Sequence, residues 1–563
     1  MNKRIFLLCM LVFVFIPAKS ITPSEVKPVK NLIVMIPDGT SLTTVSVARW
    51  YQWYLHPDKP RLNIDPHICG TVLTHSSNAP IGDSAPTTSC YMTGYPSRAG
   101  FVSTYPPAAG DDDIYPLDST KAYQPLTTLL EAVKLTQNKA TGLVFTCEFP
   151  HATPADCSAH SYNRSRYDWI SSQMVHNDLD VVIGGGVSLL SEADEAYLKI
   201  NGYGVYKNDM AGMRSETGNK MWALYSERDM AYDLDRDASK EPSIEEMTRT
   251  AIEKLSQNAN GFFLMVEGSK VDWAAHANDP VGMITDFLAF DRACRAALDF
   301  AKKDGETLVI IVPDHGNSGF SLGSRDCKSY SSATKDDLFG TVAQVKHTAQ
   351  GIAARLNASP SSDVQQIFRE ETGFELSTEE MNTLYQCKSY ENSPVPKDER
   401  SDRNVLPSLY SGSLNDFVAK LITSKTCFGF TTGGHTGEEV FLAAYHPAGT
   451  LPIGMNTNVE LNHYMAAALG LSGQLDRLTA ENFAPHTKVF EGYTYSIVPP
   501  AEENGNPTLI VKNRKKQLAI TPNTNIVKAG NKGQEEIRLR SVVIYADKNR
   551  TFYLPESLTD YLK

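Results

Sequence analysis

From residue 31 to about 316, apolar β-branched runs alternate with stretches of helical period. The runs "NLIVMIP", "CGTVLTH", "ATGLVFT", "DVVIGGG", "GFFLMVEG" and "TLVIIVPDHG" read as strands. Several are apolar at every position, which strands need when helices cover both faces of a mostly parallel sheet. "SLTTVSVARWYQWYL" and "VGMITDFLAFDRACRAALDFAKKDG" are helical stretches between them. The alternation predicts an α/β fold, a mostly parallel central sheet with helices on both faces. Its first part spans 21–317.

From 318 to 428 the alternation lapses. Helical patterns fill this span ("KDDLFGTVAQVKHTAQGIAARL", "SSDVQQIFREETGF", "STEEMNTLYQCKSY"), followed by the polar, Pro-containing "ENSPVPKDERSDRN". It is expected to be an insertion subdomain, either a lid or a partner-contacting element. The core pattern resumes over 429–484 with "TTGGHTGEEVFLAAYHP" and "NVELNHYMAAALG". Residues 485–563, with "TLIVKNRKKQLAI" and "EEIRLRSVVIYADKNRTFYLP", read as a small β-rich appendage.

The first twenty residues depart from all of this. Lys3 and Arg4 precede an apolar run from Ile5 to Ile16, and small residues follow at Ala18 and Ser20. That order is a secretory signal over 1–20, and the run is short for a membrane span. The mature chain is therefore expected to be exported, periplasmic or secreted, with no stable span. Losing Lys3, Arg4 and Lys19 takes the net charge from −12 to −15. So acidic a surface excludes nucleic-acid binding, which needs basic surface against the phosphate backbone. A polyanionic substrate must then meet a local positive site, most simply a metal. Export also permits disulfides among the cysteines at 69, 90, 147, 157, 294, 327, 387 and 427. They form no CxxC pair, so a zinc ribbon is unsupported, and Cys294 within "DRACRAALDF" reads as a buried thiol.

In sheets of this kind ligands lie beyond the carboxyl ends of the strands. Asp38 and Gly39 end the first run, and "IGDSAPTTS" follows the second. "CEFPHATPADCSAHSYNR" follows the third, "EGSKVDWAAHAND" follows "FFLMV", and "DHGN" follows "LVIIV". Asp and His thus gather along one expected rim. Two zinc ions would need about six to eight N/O ligands. Asp38, Asp272, His276, Asp314, His315 and His435 are the candidates, with Glu267 and Thr153 for a harder third ion. "DWAAH" spaces Asp272 and His276 one helical turn apart, and "GGHTGEE" surrounds His435 with glycines. Alone, each motif reads equally as a solvated helix face, a strand-ending turn or a loop histidine. Their common rim joins them. "IGDSAPTTSC" adds Ser84, Thr87, Thr88 and Ser89 at a helix start, where a hydroxyl can cap or attack.

Taken in order, "VMIPDG", "DSAPTTS", "HATPADCSAHSYNR", "FFLMVEGSKVDWAAH", "VPDHG" and "GGHTGEE" resemble the alkaline phosphatases, metal-dependent phosphomonoesterases. The resemblance covers roughly 31 to 470 without most of the insertion. It implies hydrolysis of small-molecule phosphate monoesters through a phosphoserine at a site of two zinc ions and one magnesium. Asp272, His276 and His435 would hold the first zinc. Asp38, Asp314 and His315 would hold the second, with Asp38 reaching toward the magnesium. Thr153 and Glu267 would bind that magnesium, with His151 nearby through a water. Ser84 would be the nucleophile and Arg164 the phosphate clamp, its guanidinium fork matching two phosphoryl oxygens. His151 and Trp273 stand where one well-known bacterial pattern carries Asp and Lys. Homodimers are common in the family.

Three alternatives stand beside this reading. A phosphodiesterase or another hydrolase of the same superfamily would use Thr87. A sulfatase would need an arginine where Thr88 stands, so its C/S-x-P-x-R signature fails. A non-catalytic metal- or phosphate-binding protein would lack a ligand or the nucleophile, and none is missing.

Overall fold

A computed structural model describes residues 25–563 apart from 326, 328–330, 393–412, 501, 503–504, 514–515 and 531–534. The expected leader, 1–20, and most of the polar stretch 391–404 lie outside the described residues. Among the described residues no helix is long and apolar enough to cross a membrane.

Ten strands build the central sheet. They are β1 (Asn31–Pro37), β2 (Ile68–Leu73), β3 (Ala140–Glu148), β4 (Val181–Gly185), β5 (Gly204–Lys207), β6 (Met221–Tyr225), β7 (Phe262–Gly268), β8 (Thr307–Ile311), β9 (Val440–Tyr445) and β10 (Gly454–Thr457). Their spatial order is β10-β2-β9-β8-β1-β7-β3-β4-β6-β5. Neighbours run parallel except at β9, which is antiparallel to β2 and β8. The fold expected from the sequence is the one observed. The short strands β5 and β10 carry too little apolar run to be read in advance, and β6, "MWALY", has the apolar run but no β-branched residue to mark it as a strand.

Alternation explains why β1 is apolar throughout. Leu32, Val34 and Ile36 enter the core on one face of the sheet, and Ile33 and Met35 enter the core on the other. Successive side chains in a strand point to opposite faces, so a strand covered on both sides has no polar position. β8 repeats the pattern, with Leu308 and Ile310 against Val309 and Ile311. The helices that matter for the site are α1 (Leu42–Leu55), α2 (Ser84–Thr93), α3 (Ala152–Ala155), α4 (Lys270–His276) and α5 (Pro280–Asp304). Asp279 caps α5 by accepting from the Val281 N–H, Pro280 opens the helix, and Gly305 closes it at φ 75°.

Residues 335–391 form α6 (Lys335–Gln344), α7 (Ala349–Ala358), α8 (Val364–Thr372) and α9 (Thr378–Glu391), and α10 (Leu414–Thr423) follows. The pattern over 335–356 reads as one continuous helix, and here the structure differs. The backbone turns extended at Val345, and Thr348 restarts the helix by accepting from the Gly351 N–H. Asp235 accepts from both the Thr348 N–H and its hydroxyl, at 2.9 and 2.5 Å, and Asp279 accepts from the Ala349 N–H at 2.8 Å. Carboxylates from outside the segment take the first N–H groups of α7, so a break outcompetes continuation. The apolar faces of these helices share a core with Val47 and Tyr51 of α1 and with Ala274 and Ala275 of α4.

A disulfide joins Cys327 to Cys427, 100 residues apart, at the two ends of this helical span. A disulfide is worth typically about 2–4 kcal/mol, and loop-closure entropy puts one of this span toward the upper end of what disulfides contribute, about 4.7 kcal/mol. Cys427→Ser is therefore expected to lower the urea midpoint, and reductant should lower the wild type to the same value. An unchanged midpoint would show that the shared apolar core alone holds the span.

The C-terminal segment adds an antiparallel meander of β11 (Thr494–Val498), β12 (Thr508–Lys512), β13 (Gln517–Ile520), β14 (Ile526–Ala529) and β15 (Glu535–Arg538). Alternate residues such as Leu509, Val511, Leu518, Ile520 and Val527 fill its own core. It meets the main body through polar contacts, among them Gln173 to Asn523 at 2.9 Å and Arg166 to Asp547 at 3.4 Å.

Candidate active site

The carboxyl ends of β1, β3, β7 and β8 lie side by side, because β8-β1-β7-β3 are neighbours. Asp38 follows β1, Glu267 is the next-to-last residue of β7, and Asp314 and His315 follow β8. Asp38, Glu267, Asp314 and His315 are each fully buried. The turn after β1 must hold glycine: Gly39 has φ +56°, and a Cβ there would lie 2.1 Å from Asp272 Oδ1. Its N–H donates to Asp314 Oδ1 at 3.0 Å, tying the two strand ends together.

Three imidazoles share one arrangement. The Nδ1 atoms of His276, His315 and His435 meet the backbone carbonyls of Gly433, Gly316 and Gly82 at 2.8, 3.1 and 2.8 Å. Each therefore presents Nε2 inward, the tautomer and orientation that metal-ligating histidines take. His276 Nε2 faces Asp272 Oδ2 at 3.3 Å and His435 Nε2 at 3.2 Å. His315 Nε2 faces Asp38 Oδ1 at 3.4 Å and Asp314 Oδ2 at 3.5 Å. Two clusters result, Asp272–His276–His435 and Asp38–Asp314–His315. Asn317 Nδ2 donates to Asp272 Oδ1 at 2.7 Å and fixes its carboxylate.

The electrostatics ask for cations. Asp38 Oδ2, Asp314 Oδ2, Glu267 Oε1 and Thr153 Oγ1 are buried with no hydrogen-bond partner. Burial and the neighbouring carboxylates of Asp314, Asp272 and Glu267 push Asp38 well above the usual range. Burial likewise raises Glu267 to about 8. His276 goes the other way for an imidazole: burial opposes its charge, yet Asp272 lifts it to about 9. A buried anionic group with free lone pairs is costly unless paired or bound to metal. The donor set, imidazole nitrogens with carboxylates, suits zinc in both His-containing clusters. These two clusters fit the two zinc ions that the resemblance implies.

Ser84 opens α2, the helix that follows β2, and its side chain is buried. Its Oγ lies 3.2 Å from His315 Nε2 and 3.4 Å from Asp38 Oδ1. The other hydroxyls of "DSAPTTS" turn away. Thr87 donates to the Asp83 carbonyl in its own turn at 2.8 Å, and Ser89 donates to Asp156 at 2.6 Å. Arg164 pairs through Nη1 with Asp83 Oδ1 and through Nη2 with His151 Nε2 at 3.0 Å. His151 precedes α3, which packs against β3, β7 and α2 and carries the buried Thr153. Trp273 stacks edge-on against His151, with ring centroids 5.9 Å apart. The buried Lys270 ammonium also lies over that indole, 4.2 Å from its centroid.

Every residue singled out in the sequence thus comes to one rim, although they span Asp38 to His435. Two members were not singled out. Asp83 is the N-cap residue of α2 but caps nothing with its side chain, which anchors Arg164 instead. Its position directly before Ser84 was the available signal. Cys147, at the end of β3, joins His151 and Glu267 in a third cluster.

The chain is similar to proteins already known. The sequence profile of a family described as alkaline phosphatase matches residues 29–471. Alkaline phosphatase 4 of Bacillus subtilis (strain 168) is 31% identical over 432 residues, 74% of this chain and 84% of that protein. Alkaline phosphatase 3 of the same organism is 30% identical over 460 residues, 78% of this chain and 89% of that protein. The crystal structure of a cold-active alkaline phosphatase from a psychrophilic Shewanella sp. superposes with a TM-score of 0.66. That likeness, at 26% identity, covers 78% of this chain and 99% of that one. With the profile spanning the whole rim from Asp38 to His435, the chain belongs to the alkaline phosphatase family, metal-dependent phosphomonoesterases.

Proposed function

We propose that this chain is an exported enzyme that hydrolyses a broad range of phosphate monoesters through a phosphoserine on Ser84. One observation carries the reading: the buried Ser84 Oγ lies 3.2 Å from His315 Nε2 and 3.4 Å from Asp38 Oδ1, facing a ligand cluster. Asp272, His276 and His435 would hold one zinc ion, and Asp38, Asp314 and His315 a second. Thr153, Glu267 and Asp38 offer hard oxygens for a third divalent ion, magnesium on oxygen chemistry alone. When bound, such ions place positive charge beside the attacking oxygen, the departing oxygen and the phosphoryl group.

The chain's own groups do the rest. Ser84 Oγ bonds to phosphorus as the ester oxygen departs on the opposite side. Water then breaks the new Ser84–phosphate ester and frees inorganic phosphate. The N–H groups at the start of α2 point at the phosphoryl group, where the helix dipole favours an anion. Arg164, anchored by Asp83, offers its fork to two phosphoryl oxygens. The His276 side chain is 41% exposed, so the site is open on that side. An open site makes few demands on the alcohol and suits broad specificity. The Cys327–Cys427 disulfide supports export to an oxidising compartment.

The test is phosphate release from a monoester and a matched diester, alongside metal analysis of the purified protein. Monoester turnover should dominate and need bound zinc; faster diester turnover, or full activity without metal, would overturn the reading. Arg164→Ala is expected to raise KM and the inhibition constant of inorganic phosphate by about 10–100-fold, the worth of charge-assisted hydrogen bonds at ~1.5–3 kcal/mol. Arg164→Lys should recover only part, because a point charge cannot span two oxygens.

A further inference from the structure

Oxygen is not the only donor facing the third ion. Cys147, the next-to-last residue of β3, is buried and makes no disulfide. Its Sγ donates to Glu267 Oε2 at 3.3 Å. One ligand atom each from Cys147, His151 and Glu267 lies within 4.8 Å of the others. Glu267 Oε1 and His151 Nδ1 are buried without any hydrogen-bond partner. Because His151 Nε2 accepts from Arg164, Nδ1 becomes a free ligand atom when that contact is released and the ring proton moves to Nε2.

Ligand softness decides what such a pocket takes. Magnesium asks for near-octahedral oxygen and gives up its water reluctantly. A thiolate with an imidazole and a carboxylate favours zinc-class ions, whose bonds to sulfur and nitrogen run about 2.0–2.3 Å. Ligand atoms separated by a little over 3 Å, as Sγ and Oε2 are here, can meet at one such ion. Resting on the phosphatase reading above, we propose that the Cys147–His151–Glu267 cluster is a thiolate-containing site for a thiophilic divalent ion, in place of magnesium. On binding, the Sγ–metal bond replaces the S–H bond, and the displaced proton leaves to solvent. The opposing account is that Cys147 is a small buried filler whose thiol merely satisfies Glu267.

The experiment is cobalt(II) loading of the chelated full-length protein, read by absorbance. Metal content is then measured after dialysis against zinc with excess magnesium. The wild type is expected to show a thiolate-to-cobalt charge-transfer band and to retain a third equivalent of zinc. Cys147→Thr should lose the band and exchange that equivalent for magnesium. Cys147→Ser, the closest isostere, should do the same with an unchanged thermal midpoint, so a folding defect is recognisable. A wild type without the band, or one that binds magnesium at the third equivalent, overturns the proposal. Phosphate release is assayed on the same samples. Its absence from fully loaded protein would refute the phosphatase reading, while the cobalt band still judges the site.

Discussion

Ser84→Ala is expected to lower kcat/KM for a phosphate monoester by about 10³-fold or more, and to abolish the covalent phosphoenzyme. The expectation follows from position. A hydroxyl attacks poorly unless a neighbour stabilises its anion, and Ser84 is the hydroxyl of its segment that faces the ligand cluster. Thr87, the reserve candidate, is committed to the Asp83 carbonyl, so Thr87→Ala should keep turnover within a few-fold of the wild type. Acid quenching with phosphate-labelled substrate reads the intermediate directly. Label retained on Ser84→Ala, or lost only on Thr87→Ala, would transfer the nucleophile's role. The substitution leaves α2 intact, since alanine is the best helix former and Asp83 and Gly94 still bound the helix.

How much of this was legible in advance depends on where the information lies in the chain. The sheet could be read because its central strands are apolar at every position, a pattern that only a doubly covered strand requires. The rim of candidate ligands could be read because most of them lie at or just after the carboxyl end of a strand, and parallel strands bring those ends together whatever their separation in sequence. Asp272 and His276 needed only the helical turn that puts i and i+4 on one face. What could not be read were partnerships made across the fold. The break before α7 depends on Asp235 and Asp279, 113 and 70 residues back along the chain from the N–H groups they accept from, rather than on any breaker residue within 335–356. Asp83 looks like an ordinary N-cap until Arg164, far along the chain, is seen to occupy its carboxylate. Cys147 is one of nine cysteines in the sequence, and only the register of β3 against β7 brings it to Glu267.

Removing the metals should do more than stop turnover. Chelation is expected to lower phosphate release by about 10³-fold or more, since bound ions supply several kcal/mol of transition-state charge stabilisation. It should also leave a protein whose stability falls as pH rises. In the chelated state Asp38 and Glu267 are buried carboxyl groups, each with one oxygen that has no hydrogen-bond partner, and both have folded pKa values above their ordinary ones, chiefly through burial. The folded state then binds more protons than the unfolded state, so unfolding becomes easier with increasing pH. For Glu267 the loss begins near its ordinary 4.5 and is complete above about 8. Below that window both states are protonated and the penalty vanishes. In the loaded protein cations take the place of those protons, and the slope should disappear. Thermal midpoints of loaded and chelated protein, compared at pH 5 and at pH 9, read the effect. The gap between them should widen toward pH 9. A chelated protein equally stable at both pH values would mean that the carboxylates of the rim are neutralised by the protein itself, and the unpaired oxygens of Asp38, Glu267 and Asp314 would then need another explanation.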